Sequence, residues 1–276
     1  MEKTGHHIII QPQQSRPLWE DITELWHARA LVWVFAWREI SVRYKQALIG
    51  FLWVFLQPVI MTAIFTFVFS HVAKIQVSGN YPVFVLCGLI LWQYFSRSVF
   101  EGCNAMVKEK LIITKIYFPR AAIIVAPHIS NFLDALIALL VLVALMLLTG
   151  TAISPMIFLM PVFLVMAGLL SIGVSLVIAP LQAMYRDFAI IMPFLIQLAM
   201  FASPVFYPAT SVPENLTWFF MVNPLSGLLE GMRWAAYGAE FPHALALVST
   251  ALWTIGLCVG GLYTFRILQG RLVDRL

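Results

Sequence analysis

Residues 38–58 read REISVRYKQALIGFLWVFLQP, a basic amphipathic segment that runs without a turn signal into an apolar span. Upstream of it, Ile22, Trp26, Ala30, Trp33, Trp37 and Ile40 recur at helical spacing. The run Ala30–Trp37 is wholly apolar yet too short to cross a bilayer. Tryptophan and basic residues beside such a stripe favour a helix lying in the membrane interface. Arg38, Arg43 and Lys45 then fall at headgroup depth, where phosphates lie, so an anionic lipid-linked substrate is expected to be met there.

Composition sets the same frame. Hydrophobic residues make up 61% of the 276-residue chain and charged residues 11%. Soluble domains are about a quarter charged, so an integral membrane protein is expected. The polar start, MEKTGHHIIIQPQQSRP, has no apolar core or cleavage site of a secretory signal peptide. Cys87, Cys103 and Cys258 are far apart and show no ligand spacing, and the His6-His7 pair is too short for a metal site. They read as small core residues and tail, and no metal or nucleic-acid partner is expected.

Six stretches reach the length of about 20 apolar residues that a span needs: Leu48–Phe69, Val83–Met106, Ala121–Leu148, Met156–Ala183, Phe188–Phe206 and His243–Phe265. Fourteen of the seventeen Lys and Arg residues then fall on one side of the membrane. The other side keeps Lys74 and Arg233, while Arg97 lies inside span two. The positive-inside rule puts both termini in the cytoplasm.

Charges inside the spans are few: Arg97 and Glu101 in the second, Asp134 in the third. Arg97 and Glu101 are one helical turn apart and can pair. If Pro127 breaks span three, Asp134 reaches the depth of Arg97 and pairs with it between helices. Structural pairing is the preferred role, with a transport role as the alternative. His128, Asn131 and Asp134 spread over too wide an arc to form one site.

Three further segments stand out. The first, KEKLIITKIYFPR at residues 108–120, fits a short amphipathic helix ended near Pro119. It can rest on lipid or dock a soluble subunit. Tyr185-Arg186-Asp187 breaks spans four and five, with Asp187 expected as the helix cap. Residues 203–242 are punctuated by Pro204, Pro208, Pro213 and Pro224. They hold two apolar runs too short to span, Asn215–Val222 and Leu225–Tyr237, read as a pair of half-inserted helices or an external hairpin.

These residues carry a resemblance. Arg43-Tyr44-Lys45-Gln46, Leu48-Ile49-Gly50-Phe51-Leu52-Trp53 and Gln57-Pro58 resemble the approach to the first span in polysaccharide-export ABC transporter permeases. Leu111, Ile112, Lys115, Tyr117, Phe118, Pro119 and Arg120 resemble that family's coupling helix, with Thr114 where a second basic residue is often found. Tyr185-Arg186-Asp187 is similar to its second ATPase contact. Ser203–Pro208, Asn223-Pro224 and Glu230-Gly231-Met232-Arg233 resemble its external motifs.

The resemblance runs from about Trp19 to the basic tail. It implies an all-α membrane protein with six transmembrane helices, an N-terminal interfacial amphipathic helix and two short re-entrant external helices between spans five and six. Residues 1–18 would be a cytoplasmic tail and 19–276 a single permease domain. Within that domain, 19–47 hold the interfacial helix and intake loop, 48–265 the bundle and 266–276 a second tail.

The implied function is O-antigen-type export of undecaprenyl-diphosphate-linked polysaccharide. Arg38, Arg43, Tyr44 and Lys45 would meet the headgroup. Trp53, Phe55, Phe65, Phe69, Phe194, Phe201 and Phe206 are channel-lining candidates, because spans one and five line the channel in that family. Asn223, Pro224, Glu230 and Arg233 would form an external gate. The implied partners are a second copy of the chain, two nucleotide-binding subunits, membrane lipid and the lipid-linked glycan.

No G-x-x-x-x-G-K-[ST] phosphate cradle occurs, so ATP and Mg are expected on a separate subunit. No nucleophile elbow or catalytic pair is evident either, so a transport subunit is expected rather than an enzyme. Capsule, teichoic acid, drug or small-lipid export remain alternatives of the same fold. A polyprenyl-lipid transferase and an ATP-independent channel are alternatives of other classes.

Overall fold

The computed structural model describes residues 17–45, 52–75, 77, 79–115 and 118–272, the last three of these by backbone alone. All of its regular structure is helical. Helix α1 covers Leu18–His27, α2 Arg29–Lys45, α3 Leu52–Thr66, α4 Tyr81–Lys108, α5 Lys110–Ile113 and α6 Ala121–Thr149. Then follow α7 (Met160–Met184), α8 (Asp187–Ala202), α9 (Thr217–Val222), α10 (Pro224–Tyr237) and α11 (Ala244–Leu272).

Among the described residues, five helical segments are long and apolar enough to cross a membrane: Leu52–Val72, Tyr81–Lys108, Ala121–Thr149, Pro155–Met184 and Ala244–Gln269. The expected fifth span, Phe188–Phe206, differs. Helix α8 has 16 residues and ends at Ala202, because Ser203 turns extended and the next residues fold into the core. Helix α3 runs on past Thr66 as a π-helical stretch, Phe67–Val72. Helix α6 passes unbroken through Pro127, so no break is needed to bring Asp134 level with Arg97.

Helix α4 is the axis of the bundle: 78% of its apolar window is buried, against 11% for α3. Helices α6, α7 and α10 pack on it, and α11 packs on α7. Apolar burial gains little between helices surrounded by lipid, so close backbone approach matters more. A Cβ on Gly173 of α7 would stand 2.7 Å from the Leu257 carbonyl carbon of α11, so a side chain there would push the two backbones apart.

The opposite end of the bundle, away from α1 and α2, is closed by α10. Asn223 caps it, accepting from Leu225 N at 3.0 Å, with Pro224 in the first turn, where its missing N–H costs nothing. Gly238, at φ 72, ends it in the left-handed conformation that glycine adopts without strain. Most of α10 is buried against α4, α7 and α11, which covers its backbone.

Candidate functional site: a charged cavity behind helix α2

Helices α1 and α2 form an elbow at Ala28. Their tryptophans Trp19, Trp26, Trp33 and Trp37 all face outward, Trp26 at 68% exposure. The opposite face of α2 buries Val32, Phe35 and Ala36 on α6. Ser130 donates to the Ala36 carbonyl at 3.0 Å, and Phe35 meets Phe118 at 5.9 Å between ring centroids. Two ion pairs clamp the helix to the end of α4: Arg38 with Glu109, and Glu39 with Lys108 at 3.6 Å. Burial lifts the Glu39 carboxyl above its ordinary range, with Lys108 pulling the other way.

The last turn of α2 enters a network between α4 and α6. Arg43 donates through one nitrogen to Asp134 and through the other to Glu101 at 3.2 Å and to Asn131 at 3.1 Å. Tyr44 donates to the second Asp134 oxygen at 2.5 Å. Arg97 donates to Glu101 at 3.1 Å and lies 3.7 Å from Asp134. Two guanidinium groups thus meet two carboxylates, and the formal charges cancel.

Burial works against the Arg43 charge, but Glu101 and Asp134 overcome it and hold the group above the ordinary arginine value. Burial also pushes Tyr44 up to about 12, helped by its bond to Asp134, so it remains a protonated donor.

The network forms one wall of a cavity of about 430 Å³. Trp53, Gln57 and Pro58 of α3 face it, with Gln93 and Tyr94 of α4 and Ala135 and Ala138 of α6. The arrangement suits a ligand with a charged head and an apolar body. A guanidinium fork accepts phosphate as readily as carboxylate. An arriving phosphate can therefore take over Arg43 and Arg97, provided that Glu101 and Asp134 are satisfied in exchange. Lys45 stands exposed at the end of α2, and Arg38, about two turns earlier, is part-exposed.

The structure therefore joins two groups that the sequence kept apart: the basic residues of α2 and the charges of the spans. The three α6 residues do not form one site: Asn131 and Asp134 share one face with Arg43, while His128 turns away to Ser175 on α7, 3.3 Å distant. Asn131, Gln57, Gln93, Glu39 and Glu109 were missed as site residues. The one available signal was the i, i+3 spacing of Asn131 and Asp134 on one helix.

The aromatic candidates scatter. Trp53 faces the cavity, Phe55 is half-buried on α3, and Phe194 and Phe201 are exposed on α8. Phe65 and Phe69 instead stack on Phe206, at 4.0 and 5.4 Å between centroids. Phe206 is 1% exposed and belongs to the core rather than to an outward face, because Tyr81 holds its carbonyl at 2.6 Å.

At the other end, Arg233 is 3% exposed, lies 3.6 Å over the Phe84 ring and donates to the Val205 carbonyl at 2.8 Å. Asn223 donates to Ala202 and Ser203 at 3.0 Å, with Pro224 beside it. Burial lifts the Glu230 carboxyl, against the pull of Arg233 one turn on.

In the loop after α4 the described helix, α5, has four residues, and the Thr114 hydroxyl that follows it bonds back to the Lys110 and Leu111 carbonyls at 3.1 and 3.3 Å. Leu111 and Lys115 are exposed, Ile112 and Phe118 are half-buried, and Arg120 donates to the Gln269 carbonyl at 2.8 Å. Tyr117 lies outside the described residues. Tyr185, Arg186 and Asp187 are exposed or nearly so at the same end, and Asp187 is the first helical residue of α8 rather than its cap.

A multi-span helical bundle with α2 bonded into a charged cavity among the spans is the architecture of a polytopic membrane protein. The chain belongs to the ABC-2 type transporter family, whose profile matches residues 30–237. It is 26% identical over 238 residues to the O-antigen export system permease protein RfbA of Myxococcus xanthus, covering 86% of this chain and 91% of that one. A Klebsiella pneumoniae protein of the same name is 28% identical over 71% of this chain and 76% of its own. The polysialic acid transport protein KpsM of Escherichia coli is 26% identical over 83% and 90%.

Proposed function

We propose that the chain is the membrane permease subunit of an ATP-driven exporter. Its cargo is undecaprenyl-diphosphate-linked polysaccharide of the O-antigen type, moved from the cytoplasmic to the periplasmic side of a bacterial inner membrane. The observation that carries this reading is the arginine–carboxylate network walling a cavity of about 430 Å³ among α2, α3, α4 and α6, in a chain similar along most of its length to O-antigen permeases.

In this reading residues 19–276 form one permease domain with both termini cytoplasmic. Helix α8 serves as a short fifth span among six, and α9 and α10 re-enter from outside. Lys45 and the exposed side of Arg38 attract the diphosphate. It then displaces Asp134 and Glu101 from Arg43, with Tyr44 as a further donor, while the polyprenyl chain lies along Trp53 and Pro58. The glycan threads a channel between two copies of the chain, lined by outward aromatics such as Phe194 and Phe201. Two nucleotide-binding subunits supply ATP and Mg. They dock on Leu111–Arg120, including Tyr117, and on Tyr185–Asp187. Asn223, Pro224, Glu230 and Arg233 shape the outer gate. Capsule polymer is the second cargo of the same class, favoured by the similarity to the polysialic acid transport protein.

The test is lipid-linked glycan in a strain deleted for this gene. Long polymer trapped on undecaprenyl diphosphate inside the cell supports the reading, whereas normal surface glycan with no trapped intermediate overturns it. Complementation with Arg43→Ala plus Asp134→Asn then separates roles. The pair removes both charges together, so assembly should survive while export fails.

A further inference from the structure

The cavity beside Arg43 does not end at Pro58. A further cavity of about 350 Å³ continues it between the same three helices, α3, α4 and α6. The two linings follow one another on every helix: Pro58 gives way to Val59, Ile90 to Leu86, and Ala138 to Val141. Each step is about one helical turn or less. The second cavity therefore extends the first, away from the charges and toward the far end of α3. Thr66 lies about 12 Å beyond Pro58 at the rise of an α-helix.

Two hydroxyls on α3 set this extension apart. Thr62 is 6% exposed, and the Thr62 and Thr66 hydroxyls are buried with no hydrogen-bond partner among the described residues. They stand one turn apart on the face that lines the cavity. A helical threonine commonly returns its hydroxyl to the carbonyl one turn back. Thr250 and Thr254 of α11 do so, at 2.8 and 2.7 Å, whereas Thr62 and Thr66 do not. The π-helical stretch then brings His71, five residues after Thr66, to the end of the same cavity, its ring stacked on Phe67. Val59, Ala63 and Phe67 on the rim are exposed, so the groove opens sideways.

An unpaired hydroxyl surrounded by hydrocarbon carries a free-energy cost. The occupant that relieves it must be long and apolar, must begin where a phosphate sits at Arg43, and must offer weak acceptors along its length. A saturated acyl chain has none. A polyprenyl chain carries a carbon–carbon double bond in every unit, and a π face is a weak acceptor of a hydroxyl hydrogen. We propose, building on the headgroup site above, that this groove holds the isoprenoid chain of a polyprenyl phosphate and that Thr62 and Thr66 select it over a saturated chain. The headgroup is held by charge at one end of the seam, and the chain is recognised by its unsaturation at the other.

The test is native mass spectrometry of the full-length chain in mild detergent, titrated with undecaprenyl phosphate, its fully hydrogenated form or geranyl phosphate. Undecaprenyl phosphate should be retained about fivefold better than the hydrogenated chain, the scale of two weak hydrogen bonds. Thr62→Val with Thr66→Val, which keeps the shape of both side chains, should abolish that preference. Ala63→Trp, at the exposed rim, should remove the advantage of either long chain and leave geranyl phosphate bound as in wild type. Equal retention of the undecaprenyl and hydrogenated probes overturns the proposal, as does an unchanged preference in the double valine variant. Dissociation of a dimer by Ala63→Trp with lipid preference unchanged also overturns it, giving the groove to a second copy of the chain. Retention of none of the probes overturns the headgroup site as well, whereas equal retention of all three overturns the groove alone.

Discussion

The Asn131 side-chain amide donates to Glu101 at 2.9 Å and its oxygen accepts from Arg43 at 3.1 Å, so one neutral residue holds an acid and a base in place. It joins α6, α4 and α2 at a single point. Asn131→Leu leaves both ions short of a partner in a half-buried setting. The expected loss is about 2 kcal/mol. Thermal unfolding of the purified protein checks it, and an unchanged midpoint would remove Asn131 from the network.

Arg43 and Asp134 are expected to be energetically coupled. Arg43→Met or Asp134→Ala alone strands a charge, while the pair together does not. A double-mutant cycle should give a coupling of about 1–3 kcal/mol, and additive losses would mean that the ion pair contributes nothing of its own.

Glu39 gives a pH signature. Its pKa is raised, chiefly by burial, so its contribution to stability is fully present below the ordinary value of 4.5 and lost as pH rises through the raised value. Wild type and Glu39→Gln should therefore melt alike in acid. At neutral and alkaline pH the wild type should fall below the variant. A difference that is flat with pH would contradict this.

Gly173→Val should separate α7 from α11, since its Cβ meets backbone 2.7 Å away. Overpacking of this sort costs about 1–3 kcal/mol. Gly256→Val on α11, where the Cβ meets open space, is the control and should unfold like wild type.

Arg233→Ala frees the Val205 carbonyl and removes a cation from the Phe84 face. Hydrogen exchange at residues 205–207 should accelerate, with a stability loss of about 2 kcal/mol. Unaltered exchange would show that Tyr81 alone holds this segment.

The sequence made the long spans legible because length and apolar content need no tertiary information. The N-cap at Asn223 with Pro224 was legible for the same reason, being a local pattern. The end of α8 was not: Val205 and Phe206 are as apolar as a span, and only Tyr81 and Arg233, far away in the chain, draw their backbone inward. The site was half legible. Arg43 was singled out for its charge at headgroup depth, and Asp134 for its charge inside a span. That they are partners depends on how α2 lies across α6, which rests on the small Ala36 surface and the Ser130 hydroxyl. No periodicity in either segment encodes that crossing.

The clamp on α2 also has a consequence in time. Its ionic partners, Glu101, Lys108, Glu109 and Asp134, and its hydrogen-bond donor Ser130 all lie downstream. Chains are made from the amino terminus, and early segments must wait for later ones. Helix α2 is therefore made before α4 and α6, and Arg38 and Arg43 lack these partners until those helices are in place. A segment made before its partners is among the last to be fixed, and its seating reports that the helices behind it have found their places.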